Sequence, residues 1–305
     1  MTYFRFHALR DEAVRTLASE FCAARPFPHV LIPDVISVQP QDVLPFFPPS
    51  SFPQWLRYGD LYQAEKMTFG KVDCMPEPFR SMLQELSAAP FLEFLERLTG
   101  ISGLMPDPYL HGAGLHCSGP GGVMAPHTDT HLNQRLGIFK RVNVLIYLNP
   151  DWEESYGGCL ELFDHGDTTA PVRTVVPRWG TCVVFRTDAR SVHGFSRPIV
   201  GLNRFRRAIV VYYYTSEETL AFSGDLMTHW RQHDSYWGAA GGSELGRRGR
   251  MYLYRSLRLG AMALAYLAHR TRPTAATQRA WPLQATPLNP ANEQGKPFAR
   301  ETSST

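Results

Sequence analysis

The sequence is poor in cysteine, and the cysteines it has form no pattern. Cys22, Cys74, Cys117, Cys159 and Cys182 are scattered without a CxxC pair. An odd, dispersed set of this kind excludes a disulfide framework and reads as reduced thiols, with Cys159 and Cys182 packed inside apolar runs. The sequence also lacks a run of about eighteen uncharged apolar residues, which a membrane-spanning helix needs. Its N-terminus, MTYFRFHALRDEAV, has no basic stretch followed by an apolar one, so no secretory signal is expected and the cytoplasm is the default location. No long basic arm occurs in the first 200 residues and the formal charge is only +3, so no nucleic-acid partner is expected. No internal repeat is present. What remains is 305 residues, 44% apolar and 12% aromatic, long and apolar enough for one sizeable domain with extensions.

Three zones separate by pattern. Residues 1–105 read as a helical and loop region that packs on the core. Asp11 to Cys22 carries Val14, Leu17, Ala18 and Phe21 at helical spacing, and Ser81 to Leu98 repeats the pattern until Gly100 stops it. Between them FPHVLIPDVI reads as a short buried strand. LPFFPPSSFP is a turn-rich loop, and its position and aromatic content make the 40–53 stretch a candidate lid. Residues 106–220 change character: VNVLIYL, CLELF, VRTVV, TCVVF and AIVVYYY are short β-type runs between turn signals, as in a β-sandwich or barrel. Residues 221–270 read as a helical extension, with an Arg-flanked apolar helix over 245–270 suited to packing on the core or to a membrane surface or partner. The polar tail 271–305 reads as disordered.

The chemistry concentrates in APHTDTH. In an extended strand, positions i and i+2 project to one face, so His127 and Asp129 can bind one cation together. His193 ends another β-type run. Two imidazoles and one carboxylate on one face leave coordination positions open, the signature of oxygen-activating iron(II), whereas a structural zinc site closes its shell. Two open positions suit a chelating co-substrate and a third dioxygen. A dicarboxylate co-substrate also needs a cation for its far end, and NRFRRAIVVYYY offers one at the entry of the next strand: Arg204 and Arg206 share a face by alternation, with Arg207 opposite.

HTD, RVNVLIYLNPDWEESYGGCLELFD, a later histidine and RRAIVVYYYT together resemble the prolyl-hydroxylase-type branch of the iron(II)/2-oxoglutarate dioxygenases, over roughly residues 105–215. The resemblance implies a mainly β fold, a double-stranded β-helix or distorted cupin-like jelly roll, with flanking N-terminal helices. It implies His127, Asp129 and His193 as iron ligands and Arg206 as the group that binds the far carboxylate of 2-oxoglutarate. The stretch between His193 and Arg206 is longer than the common spacing, which keeps Arg204 as an alternative. Tyr147 matches a position whose hydroxyl reaches the co-substrate, and Asn143 shares its face if no bulge intervenes. Leu160 matches a pocket-wall residue, and Gly157–Gly158 a tight turn needed for backbone geometry. Related halogenases replace the metal carboxylate with a small residue, so Asp129 points to hydroxylation or to another oxidation such as desaturation.

The implied reaction uses iron(II), 2-oxoglutarate and dioxygen, with ascorbate as a reductant, and inserts hydroxyl into an unactivated C–H bond while releasing succinate and CO2. The implied substrate is a proline or another amino-acid side chain, free or in a peptide, or a small molecule. His131, Asn133 and Gln134 are placed to line the mouth, and His111 and His116 read as structural. The same ligands also serve desaturases and ring-forming enzymes, and a sensor without turnover would keep the metal but lose part of the site. The intact ligands and Arg clamp speak against the sensor.

Overall fold

The computed structural model describes residues 2–60, 62–216 and 228–230, with helical positions at 252–253, 256–257, 259–261, 263–264 and 267. The chain divides into Met1–Tyr266 and Leu267–Thr305. The tail expected to be disordered and most of the 221–270 extension lie outside the described residues. No helix among those described is long and apolar enough to cross a membrane.

The helices are α1 (Asp11–Ala23), a short α2 (Pro40–Val43), α3 (Glu77–Ser87) and α4 (Ala89–Thr99). The stretch read as one helical pattern from Ser81 to Leu98 is thus two helices, broken at Ala88 (φ −82°, ψ 154°). Pro90 is the cause: inside a continuous helix it could not donate to the Leu86 carbonyl and its ring would strike that oxygen. The carbonyl instead accepts the Tyr213 hydroxyl at 2.7 Å, which ties the break to the sheet beneath. Gly100 ends α4 in the left-handed region, with its N–H on the Glu96 carbonyl at 2.8 Å.

Among the described residues there are thirteen strands, in chain order: β1 (His29–Ile32), β2 (Leu56–Tyr58), β3 (Gln63–Phe69), β4 (Met105–Pro106), β5 (Gly114–Thr128), β6 (Leu132–Asn133), β7 (Ile138–Tyr147), β8 (Leu160–Leu162), β9 (Arg173–Val175), β10 (Cys182–Arg186), β11 (His193–Phe195), β12 (Arg206–Thr215) and β13 (His229–Trp230). All pairings are antiparallel, in the order β1-β10-β7-β12-β5-β11-β8-β9, and β3 runs along β5. The path is two sheets joined by one strand. The first half of β5 (114–118) pairs with β12 and the second half (124–127) with β11. Between the halves the chain turns at Gly121 (φ 78°) and Gly122, where a Cβ would meet the Gly119 carbonyl at 2.8 Å. Sheets β10-β7-β12-β5 and β5-β11-β8-β9 therefore face each other, the arrangement of a double-stranded β-helix.

Alternation divides the core into two layers. Val142, Val144, Ile146, Ile209, Val211 and Tyr213 face outward onto α1, α3 and α4 with Phe79, Met82, Leu86 and Leu95. Leu145, Tyr147, Leu160, Leu162, Val183, Phe185, Ala208 and Val210 face inward between the sheets. Truncating one such leucine to alanine costs about 2–5 kcal/mol. The proline-rich stretch belongs to the outer layer. Phe47 is buried and sits edge-on to Phe79 at 5.4 Å, and Trp55 packs against Phe69. This corrects the lid expectation: these aromatics cover the helix-side core, away from the interior between the sheets. Cys117, Cys159 and Cys182 are buried, Cys22 and Cys74 exposed, and all five are free.

Candidate metal centre and co-substrate cleft

The structure brings together the three residues the HxD-and-His reading singled out. His127 ends β5, His193 opens β11, and the two are direct cross-strand partners. Asp129 follows two positions after His127. One ligand atom from each lies within 4.8 Å of the others, and all three residues are buried. The Nε2 atoms of His127 and His193 stand 3.7 and 3.9 Å from Asp129 Oδ1.

Second contacts orient each donor. His127 Nδ1 lies 3.0 Å from the Ala125 carbonyl, and His193 Nδ1 lies 3.0 Å from the Ser191 carbonyl. A carbonyl only accepts, so each Nδ1 carries the proton and each Nε2 is turned toward Asp129 as a donor to a metal. Burial and the neighbouring His127 imidazole pull His193 down to about 4, so it is neutral at pH 7, the form that binds metal. The other oxygen of the carboxylate, Asp129 Oδ2, accepts Asn143 Nδ2 at 3.1 Å and faces Lys140 Nζ at 3.4 Å. Burial alone would raise the Asp129 carboxyl, but Lys140 and the neighbouring His127 and His193 hold it well below the carboxylate range. Imidazole, imidazole and ionised carboxylate on one buried face, with no fourth His, Cys, Asp or Glu in the group, suit a divalent metal that keeps open positions.

The two arginines part company where the strand begins. Alternation runs only from Arg206, the first residue of β12, which is buried and points between the sheets. Its Nε donates to the Gly158 carbonyl at 2.7 Å and its Nη2 to the Tyr147 hydroxyl at 3.0 Å, and the guanidinium carbon lies 4.6 Å from the Phe195 ring centre. Arg204 precedes the strand and turns outward, donating to the Val200 carbonyl at 2.7 Å and stacking on Tyr156. The two glycines shape this corner. Gly157 has φ 70° and a Cβ there would run into the Pro198 carbonyl; Gly158 has φ 63° and supplies the oxygen that holds Arg206. Leu160 is buried on the inner wall.

Other expected positions divide. Asn143 keeps the same face as Tyr147 because β7 pairs with β12 without interruption from Val142 to Tyr147, yet its amide meets Asp129 rather than Arg206. His131 is buried, whereas Asn133 and Gln134 line a cavity of about 440 Å³ together with His111, Lys140 and Tyr214. Asn133 also donates to Asp107 at 2.8 Å. His116, read as structural, pairs with Ala208 on the inward face, where burial and Lys66 hold its imidazole well below the usual range.

Two lysines were missed. Lys140 has the wrong parity for the interior, counted from Tyr147, but a register shift opposite Tyr213/Tyr214 turns it inward over the Tyr212 ring at 3.3 Å. Lys66 lies on β3, and a second register shift at Glu65 (φ 52°) brings it opposite Ser118. Bulges of this kind leave no signal in the hydrophobic pattern.

Residues 113–215 match the family model of the 2OG-Fe(II) oxygenase superfamily. The matched segment contains His127, Asp129 and His193 together with Tyr147 and Arg206. The chain is 27% identical to prolyl 3-hydroxylase OGFOD1 of Mus musculus over 176 residues, covering 56% of this chain and 30% of that protein. It is 37% identical to the Xenopus laevis protein of the same name over 60 residues, 19% of this chain and 12% of that one. The chain therefore spans less than a third of the length of the curated relatives it matches. A solved prolyl hydroxylase from Trichoplax adhaerens, in complex with a hypoxia inducible factor peptide fragment, aligns with a TM-score of 0.48 at 19% identity, covering 68% of this chain and 94% of that one.

Proposed function

We propose that this chain is an iron(II)/2-oxoglutarate-dependent oxygenase that hydroxylates an unactivated C–H bond of a proline or other amino-acid-like unit, free or within a peptide. The observation that carries the reading is the buried His127, Asp129 and His193 cluster, with ligand atoms within 4.8 Å of one another, in a core that also buries Arg206. His127, Asp129 and His193 would hold the metal. Arg206 and Tyr147 would hold the far carboxylate of 2-oxoglutarate, the planar guanidinium gripping it while the phenol adds a third bond. Iron(II) and 2-oxoglutarate, when bound, supply with dioxygen the oxidising power for the C–H bond and leave succinate and CO2.

The chain's own residues do the rest. Lys140 and Asn143 engage Asp129 Oδ2, which leaves Oδ1 for the metal. Leu160, Leu162, Phe185, Phe195 and Val210 supply the apolar part of the interior wall. The Gly157–Gly158 turn fixes the height of Arg206. The preference for proline rests on the resemblance of the matched segment to proteins named prolyl hydroxylases. The five free thiols fit a reducing cytoplasm.

The test is product analysis. Protein loaded with iron(II) and 2-oxoglutarate is incubated with free proline and proline-containing peptides under isotopically labelled dioxygen. A product heavier by one labelled oxygen atom supports the proposal. Loss of two hydrogens without oxygen gain would move the assignment to desaturation or cyclisation.

A further inference from the structure

Three cations face the interior of the oxygenase core among the described residues, and two of them have an anion. Lys140 has Asp129 at 3.4 Å. Arg206 has, on the reading above, the far carboxylate of 2-oxoglutarate. Lys66 has none: no carboxylate of the described residues lies within ion-pair distance of it.

Its position is set by register. Across β3, β5 and β12 the chain aligns Lys66 with Ser118 and Ser118 with Arg206, so the lysine and the arginine share the inward face two strands apart. Lys66 Nζ lies 3.4 Å from Met124 Sδ and 5.8 Å from the centre of the Tyr58 ring. A thioether and a distant aromatic face compensate an ammonium poorly. Lys66 is half-buried, and its register opposite Ser118 and its contact with Met124 place its ammonium on the inner side of β3. His116 and Tyr212, also half-buried, share the inward face on β5 and β12.

The acids nearest in effect are already engaged. Asp60 Oδ1 accepts the Tyr62 and Gln63 backbone N–H groups and Oδ2 accepts Gln63 Nε2, in an exposed turn. Asp129 is taken by Lys140, Asn143 and the two histidines. Burial pulls the Lys66 ammonium down to about 8, so it stays charged at neutral pH. Taking an unpaired ammonium out of water is costly, and a fold that keeps one facing a reaction cleft has a use for it when the cleft is filled.

We infer that Lys66 binds a carboxylate of the substrate, so that the oxygenase acts on an amino-acid or peptide unit with an anionic group beside the carbon it oxidises. The inference rests on the function proposed above. The carboxylate can be the free terminus of an amino acid or peptide, or an acidic side chain next to the target residue. Both present the same group to one ammonium. The alternative use, as a second hand for 2-oxoglutarate, is disfavoured by Arg206, which with Tyr147 already gives the co-substrate a planar cation and a hydroxyl.

The experiment uses the full chain loaded with manganese(II) and 2-oxoglutarate, which binds without turnover, and calorimetry with two matched peptide pairs. Acetyl-Ala-Pro as free acid and as amide tests the terminal source; acetyl-Ala-Pro-Glu-amide and acetyl-Ala-Pro-Gln-amide test the side-chain source. In at least one pair the acid should bind the wild type on the order of 10- to 100-fold more tightly than its neutral partner. Lys66→Met should abolish that difference and Lys66→Arg should keep most of it, while 2-oxoglutarate affinity stays unchanged in both. Equal or absent binding within both pairs overturns the inference, and so does a Lys66→Met variant whose loss falls on 2-oxoglutarate. If the wild type binds neither manganese nor 2-oxoglutarate, the functional proposal itself has failed, an outcome read before any peptide is added.

Discussion

Exchanging Arg206 for lysine tests whether the co-substrate clamp has been identified. The guanidinium is fixed at two points, by Gly158 O at 2.7 Å and Tyr147 Oη at 3.0 Å, which leaves one nitrogen edge to face a carboxylate. A lysine ammonium keeps the charge but cannot hold the Gly158 carbonyl, the tyrosine hydroxyl and two carboxylate oxygens in one plane. Loss of one charge-assisted hydrogen bond is worth about 1.5–3 kcal/mol, which weakens 2-oxoglutarate binding roughly 10- to 150-fold. The Gly158 carbonyl, left without its donor in a buried corner, adds about 1–3 kcal/mol of destabilisation that a thermal melt reads separately. The assay is anaerobic titration of 2-oxoglutarate into iron(II)-loaded protein, following the charge-transfer absorption of the chelate. Arg204→Lys is the control, because its contacts are a surface carbonyl and the Tyr156 ring; its affinity should stay within about 2-fold of wild type. A strong loss in Arg204→Lys with none in Arg206→Lys would refute the argument from strand entry.

Three further outcomes follow from other parts of the molecule. Gly157→Ala should lower the melting temperature by several degrees, since φ 70° and the Pro198 carbonyl both oppose a Cβ, a cost of roughly 2–4 kcal/mol; an unchanged melt would contradict the reading of that turn. The folded-state pKa of Lys66 is lowered to about 8 from 10.5, mainly by burial, with Asp129, Arg206, Lys140 and Asp60 acting in both directions. Between those values the unfolded chain holds more protons, so metal-free wild type should gain up to about 3 kcal/mol of stability relative to Lys66→Met as pH rises from 8 to 10.5; a flat difference would contradict the lysine's burial. Alkylation of the native protein at neutral pH should label Cys22 and Cys74 and spare Cys117, Cys159 and Cys182, whose thiols burial pushes up, Cys159 to about 11 and Cys117 to about 12; mass spectrometry of the labelled peptides decides it.

The residues differ in how much of this was legible beforehand. His127 and Asp129 could be read because a strand end obeys simple alternation, and His193 because it is the histidine that follows the run TCVVF, although it opens β11 instead of ending that run. The barrel strands were legible from VNVLIYL and AIVVYYY, whose near-continuous apolar character comes from burial on both faces. Arg206 and Arg204 share a parity, so the sequence left both open; only the point at which β12 begins separates them. Lys140 and Lys66 were invisible because each follows a register shift, which reverses parity without changing composition. The 81–98 pattern hid two helices because the apolar spacing survives the Pro90 break. The aromatics near 47–55 belong to the helix-side core, a fact of tertiary packing that no local pattern contains.

The central claim is tested most directly by co-substrate turnover. Anaerobically purified protein is loaded with iron(II) and 2-oxoglutarate, dioxygen is admitted, and succinate is quantified for wild type, His127→Ala and Asp129→Ala. The account predicts iron-dependent succinate from the wild type and its loss, by at least about 100-fold, in both variants, whose metal site lacks one of three ligands. Succinate formed equally by the wild type and both variants, or no binding of iron(II) and 2-oxoglutarate by the wild type, would contradict it.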